Sequence, residues 1–194
     1  MAVSKAGPDI DESGPMPAAF RRFLLARMGS SFAYQIVSVA LGWQIYAMTG
    51  NPLDLGLIGL VQFFPSVLLA LPAGHLADQF DRRRIVLIGQ IVEWIAIVLL
   101  TALTFLHAID EVGILLLIFV ISTAKAFESP SLQSMVPALV PPVLLPRAMA
   151  VNGSAMQAAM IMGPALGGLL YVAGPGVVYA VAAVLYLISG VMVA

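Results

Sequence analysis

The chain contains no cysteine, so disulfides and thiol chemistry are excluded. Charge is nearly as scarce. Nine basic and ten acidic residues make up 10% of 194 positions, against roughly 25% in an ordinary soluble domain. The two histidines, His75 and His107, stand far apart with no ligand cluster around either, so no metal site is expected. No glycine-rich phosphate loop with its lysine is present, which leaves an ATP-driven pump unsupported. No catalytic constellation stands out either, and neither an enzyme activity nor a cofactor is expected.

What fills the chain instead is apolar surface: 61% of residues are hydrophobic. A globule of this size cannot hide so much of it, so lipid is the expected solvent. A membrane helix needs about 20 mainly apolar residues. Six runs qualify: 20–46, 55–77, 85–107, 112–136, 148–173 and 177–194. Short breaks rich in turn residues separate them: "MTGNPLD", "DQFDRRR", "AIDE", "PALVPPVLLPR" and "GPG". The reading is an all-α membrane protein with one six-helix bundle over 20–194. A polar, proline-bearing flexible tail covers 1–19. That tail lacks the basic-then-apolar layout of a secretory signal.

Basic residues concentrate in cytoplasmic loops. Lys5, Arg21, Arg22, Arg27, Arg82, Arg83, Arg84 and Arg147 all fall on one side of the six-run layout, and the opposite loops hold none. A cytoplasmic N-terminus is expected. The arginines are read as setting topology, not as binding nucleic acid.

Charged groups inside spans are costly and face a bundle interior or a water-filled cavity. Three lie well inside: Glu93, Lys125 and Glu128. Glu93 is about 14 Å beyond Arg84 along a helix, near the midplane. Gln90 shares its face. Lys125 and Glu128 are spaced to pair with each other, or with Glu93 or Arg27. A structural ion pair and a proton or substrate site both fit. In the first run, Arg27, Ser31, Gln35, Ser38 and Gly42 fall on one helical face. That stripe fits the wall of an aqueous cavity, or plain hydrogen bonding between helices. In the fifth run, Ala155, Ala159, Gly163 and Gly167 recur every four residues, a face that lets backbones approach closely. Pro164 removes a donor, so a kink is expected there. Sliding against a partner and a static seam explain the spacing equally well.

Three motifs at these positions resemble those of the major facilitator superfamily of transporters. "GHLADQFDRRR" is similar to its loop motif G-x-x-x-D-[RK]-x-G-R-[RK]-[RK], matching at Gly74, Asp78, Arg82 and Arg83. Gln79 and Asp81 depart from it. "AMIMGPALGG" resembles the exporters' motif G-x-x-x-G-P-x-x-G-G at Gly163, Pro164, Gly167 and Gly168, with Ala159 in place of the first glycine. "ISTAKAFES" is similar to L-x-x-x-R-x-x-Q-G, with Lys125 at the basic position and Glu128 at the glutamine. The stretch from "AFESPSLQ" to "ALGGLLY" looks like the branch that holds enterobactin exporters and macrolide-efflux-like proteins.

The resemblance implies two three-helix inverted repeats forming the N-terminal half of a twelve-helix fold. It implies a proton-coupled exporter of a small amphipathic molecule, siderophore or drug-like, working by alternating access in the plasma (inner) membrane. Gly74, Asp78, Arg82 and Arg83 would form a conformational latch, its aspartate favoured by a helix N-terminus. Arg27, Gln35, Glu93, Lys125 and Glu128 would line the proton or substrate pathway. Ala159, Gly163, Pro164, Gly167 and Gly168 would form the packing and bending motif. The expected partners are lipid, a small-molecule substrate, a proton, and a missing C-terminal six-helix half or a second copy of the chain. A piece of a longer transporter is the first expectation, and a half-size protein that dimerises is the second. A non-transporting assembly or sensor protein that kept the fold is the alternative reading.

Overall fold

A computed structural model describes residues 14–193, apart from the side chain of Asp78. Most of the tail expected over 1–19 therefore lies outside the described residues. The described residues are helical almost throughout. The helices are α1 (Ala18–Thr49), α2 (Pro52–Leu68), α3 (Ala70–Gln79), α4 (Arg82–Phe105), α5 (Glu111–Met135), α6 (Leu145–Tyr171) and α7 (Pro175–Val193). Two short 3-10 turns, Val136–Ala138 and Pro142–Leu144, join α5 to α6.

Helices α1, α4, α5 and α7 are each long and apolar enough to cross a membrane. Helices α2 and α3 pass that test only as a pair, bent by 48° at their junction. The single span expected over 55–77 is thus two helices broken at Leu69. The chemistry of the break is local. Pro72 has no N–H to offer the carbonyl of Leu68, and a proline is tolerated only in a first helical turn. The chain restarts there as α3. Helix α6 is long but is not among the spans that pass, because Gln157, Gly163, Pro164, Gly167 and Gly168 dilute its apolar character. Four to five candidate spans mark a multi-pass protein of the lipid bilayer.

The ends are built by side chains and glycine. Gly50 (φ 65°) closes α1 in the left-handed conformation, its N–H bonded to the carbonyl of Tyr46. Asn51, Asp81 and Asp110 cap α2, α4 and α5 by accepting from the backbone N–H of Leu53, Arg83 and Gly113.

Helix α1 packs along α6 and α7, α4 along α5 and α7, and the α2–α3 pair along α5. Two apolar cores result. One, around Ile36, Leu41, Ile97, Ile118 and Tyr179, fills the half of the bundle near the α1–α2 and α4–α5 turns. The other, around Phe20, Val86, Leu132, Val136 and Ala148, fills the end where the arginine-bearing turns meet. Between them runs a belt of buried polar groups: Arg27, Ser30, Gln90, Glu93, Ser122, Glu128 and Ser131. Leu53, Leu71 and Val172 are at least 79% exposed, a distribution suited to lipid and not to water.

Candidate functional site

The buried belt is assembled from neighbouring turns of α4 and α5. Gln90 and Glu93 share a face of α4, and Lys125 and Glu128 share a face of α5, each pair three residues apart. The two helices come close at Gly89, where a Cβ would lie 3.4 Å from the Cβ of Glu128. Glu128 is fully buried and uses both carboxylate oxygens. Lys125 Nζ donates to Oε2 at 2.6 Å, and Gln90 Nε2 donates to Oε1 at 2.9 Å. Lys125 also stands 5.8 Å from the ring centroid of Tyr34, within reach of a cation–π attraction.

Glu93 is equally buried, yet neither carboxylate oxygen has a hydrogen-bond partner. Tyr186 of α7 is its neighbour, with its hydroxyl close enough to act on the carboxylate, but no hydrogen bond of good geometry joins the two. Arg27 of α1 is 7% exposed, lies within electrostatic range of Glu128, and leaves one guanidinium nitrogen without a partner. The belt therefore holds two basic and two acidic side chains, with one carboxylate fully engaged and the other not.

Four of the five expected pathway residues, Arg27, Glu93, Lys125 and Glu128, come together here. Gln35 does not. It packs against α6, where a Cβ on Gly163 would lie 2.5 Å from its own Cβ. Elsewhere on the same stripe, Ser31 Oγ donates to Met156 Sδ at 3.3 Å, and Gln62 Nε2 donates to Ser38 Oγ at 3.3 Å. These positions make interhelical contacts.

The small-residue face of α6 also meets α1. A Cβ on Gly167 would lie 2.9 Å from the Cα and carbonyl oxygen of Ile36. Ala159 is buried, while Gly168 faces open space. Helix α6 runs through Pro164 as one helix.

At the arginine-bearing end, Asp78 sits in the last turn of α3. The carboxylate at a helix N-terminus is that of Asp81, which caps α4. Glycine is usual at that position in the resembling motif, and capping gives a physical reason for aspartate. Arg82 donates to the carbonyl of Ser134 in the last turn of α5, at 2.9 Å. Arg83 Nε donates to the carbonyl of Val193 at the end of α7, at 2.9 Å. Cations on helix C-termini are favoured by the helix dipole. A Cβ on Gly74 would meet nothing within 4 Å among the described residues.

Two features are not marked as sites by any spacing in the sequence. One is a buried polar chain at the other end of the bundle. Tyr179 Oη donates to Gln44 Oε1 at 2.6 Å, and Gln44 Nε2 donates to Thr104 Oγ1 at 3.5 Å. An amide and a hydroxyl within apolar runs are the only hint of it. The other is a cleft of about 340 Å³ where the α2–α3 junction meets α5, lined by Ser66, Ala70, Lys125, Ala126, Ser129, Pro130 and Gln133. Among the described residues, no group of three His, Asp or Glu side chains could hold a metal ion.

An apolar helical bundle with charge sequestered at its middle defines an integral membrane protein with a polar belt between two apolar cores. Residues 14–194 match the transmembrane secretion effector family, and the chain belongs to it, as an N-terminal region of the major facilitator superfamily. It is 26% identical over 136 residues to macrolide efflux protein A of Streptococcus pyogenes, a match covering 70% of this chain and 34% of that protein. It is 22% identical over 136 residues to the staphyloferrin A transporter of Staphylococcus aureus, with the same coverage. It is 24% identical over 153 residues to the multidrug efflux pump Tap of Mycolicibacterium fortuitum, covering 76% of this chain and 37% of that protein. The matches thus span about a third of the length of these relatives.

Proposed function

We propose that the chain supplies the N-terminal bundle of a secondary active exporter that moves a small amphipathic molecule outward by alternating access, coupled to protons. The observation that carries this reading is Glu93. A carboxylate buried beside charged neighbours, with both oxygens unpartnered, is expensive to keep unless it is used. A proton gained or lost there changes the charge balance against Arg27, Lys125 and Glu128. The relatives support the export direction and a small-molecule substrate, since two of those named are efflux proteins by name.

In this reading α2 and α3 form one broken span and α6 crosses as well. That makes six spans in two three-helix repeats, with the arginine-bearing end in the cytoplasm at the plasma (inner) membrane. Gly74, Asp78, Arg82 and Arg83 form one side of a latch. Gly74 leaves room for a helix of the complementary half. The backbone contact at Gly163 and Gly167 is the seam along which α6 and α1 hold together as the bundle rocks.

The test is transport in proteoliposomes carrying the complete gene product. An imposed proton gradient should drive movement of a macrolide, a siderophore or ethidium, and an uncoupler should abolish it. If no gradient moves any of these, while the protein still assembles in the membrane, an assembly or sensor role replaces this reading.

A further inference from the structure

We propose that the cleft between the α2–α3 junction and α5 is a substrate subsite for the anionic end of a small molecule, a carboxylate above all. This rests on the transport reading and adds a charge preference to it.

The sequence makes the cleft in two ways. The break at Leu69 turns α3 by 48° from α2, which opens space beside α5. Pro130, inside α5, has no N–H, so the carbonyl of Ala126 one turn earlier has no helical donor. Both residues line the cleft. Its other walls supply donors in the hydroxyl of Ser129, the amide of Gln133 and Lys125, while the Ser66 hydroxyl donates to the carbonyl of Gln62 at 3.3 Å.

The order of the charges decides the preference. Glu128 has no exposed side-chain surface, while Lys125 keeps 22% of its own. Glu128 is also tied from behind by Gln90 of α4. Lys125 therefore forms part of the cleft wall, and Glu128 lies behind it. Lys125 has three N–H donors, and Glu128 takes one of them. A cationic ligand would be repelled by Lys125 and would find no carboxylate on the cleft wall. A carboxylate would gain a charge-assisted hydrogen bond in a site of low dielectric, flanked by the Ser129 hydroxyl and the Gln133 amide.

The test is equilibrium dialysis of 2-naphthoate and of the neutral 2-naphthamide. The whole chain is held in nanodiscs of uncharged phosphatidylcholine, and empty nanodiscs are subtracted. Saturable binding of 2-naphthoate is expected at one site, with 2-naphthamide at least tenfold weaker. Lys125→Arg should stay within about threefold, because it keeps the charge. Lys125→Gln should lose at least tenfold. Lys125→Gln leaves Glu128 buried and unpaired, so the charge-balanced double variant Lys125→Gln/Glu128→Gln guards against misfolding. It should lose the same tenfold while keeping wild-type helicity and monodispersity. Absence of saturable binding, equal binding of acid and amide, or a double variant that binds as wild type would each overturn the proposal. Proton-driven export of ethidium by the complete gene product, measured separately, would leave the transport reading standing when the carboxylate preference falls.

Discussion

Gly167 of α6 stands against the backbone of Ile36 on α1, with no room between them: a Cβ there would lie 2.9 Å from the Cα and carbonyl oxygen of Ile36. Backbone atoms cannot rotate away as a side-chain tip can. Gly163 meets the Cβ of Gln35 in the same way, one turn earlier. Gly168, next in sequence, faces open space. Gly163→Ala and Gly167→Ala should each destabilise the bundle by about 1–3 kcal/mol through overpacking. Gly168→Ala should be neutral or stabilising by up to about 1 kcal/mol, since alanine is the better helix former. Thermal melting of the three variants in detergent checks the ranking. Equal effects at 167 and 168 would mean that the seam is not a backbone contact.

The Lys125–Glu128 pair invites a different comparison. Lys125→Met removes the cation and leaves Glu128 buried, with only Gln90 as a donor. A loss of about 3–5 kcal/mol is expected when one member of a buried pair is removed. Lys125→Met/Glu128→Gln removes both charges and should recover most of that loss. A double-mutant cycle on melting temperature measures it. Additive effects would show that the two side chains do not depend on each other.

These two sites differ in how far the sequence announced them. The i, i+3 spacing of Lys125 and Glu128 and the four-residue repeat on α6 are local patterns, so helix geometry alone places each set on one face. Which helix that face meets is a tertiary fact. Gln35 has the same spacing as Arg27 on α1, yet packs against Gly163 while Arg27 faces the belt. The break at Leu69 was hidden for another reason. Hydropathy over 55–77 is continuous, and only the missing N–H of Pro72 marks the point where the helix must restart. The arginines of the turn read as topology signals because charge counts say nothing about acceptors. Arg82 and Arg83 reach backbone carbonyls, which carry no residue signature.

The Gln44–Tyr179 bond shows how little an interhelical contact can show in sequence. Tyr179 is fully buried, and its hydroxyl sits 2.6 Å from Gln44 Oε1. Tyr179→Phe keeps the ring and orphans that acceptor. The cost should be about 1 kcal/mol, above the average for interhelical bonds in membranes and at the low end for an orphaned buried acceptor. Gln44→Leu should reproduce it, and the double variant should cost no more than either single one. Melting curves decide, and a neutral Tyr179→Phe would mean that Gln44 finds another donor.

The turn between α3 and α4 predicts a local effect. Asp81 caps α4, so Asp81→Ala should cost about 1 kcal/mol, while Asp81→Gly should cost only a few tenths. Arg82→Ala removes a cation from the end of α5 and should cost about 0.3–1 kcal/mol, less at high salt. Amide hydrogen exchange locates these changes. Protection should fall in the first turn of α4 for Asp81→Ala and in the last turn of α5 for Arg82→Ala. Uniform loss across the bundle would contradict the local assignment.

Glu93→Gln separates a transport role from a structural one. The substitution keeps size and shape, removes the charge, and adds two N–H donors beside Tyr186. If Glu93 serves only to hold the bundle, melting temperature should drop and transport should fall with it. If it carries the proton, the two readouts should part. The fold should be unchanged or more stable, because an unpartnered buried carboxylate is gone. Gradient-driven transport should fall at least tenfold, and the remainder should lose its dependence on pH. Exchange of substrate across the membrane without a gradient should persist, since rocking needs no proton to be released. A variant that keeps full gradient-driven transport would remove Glu93 from the coupling path and leave its orphaned oxygens as a purely electrostatic feature of the belt.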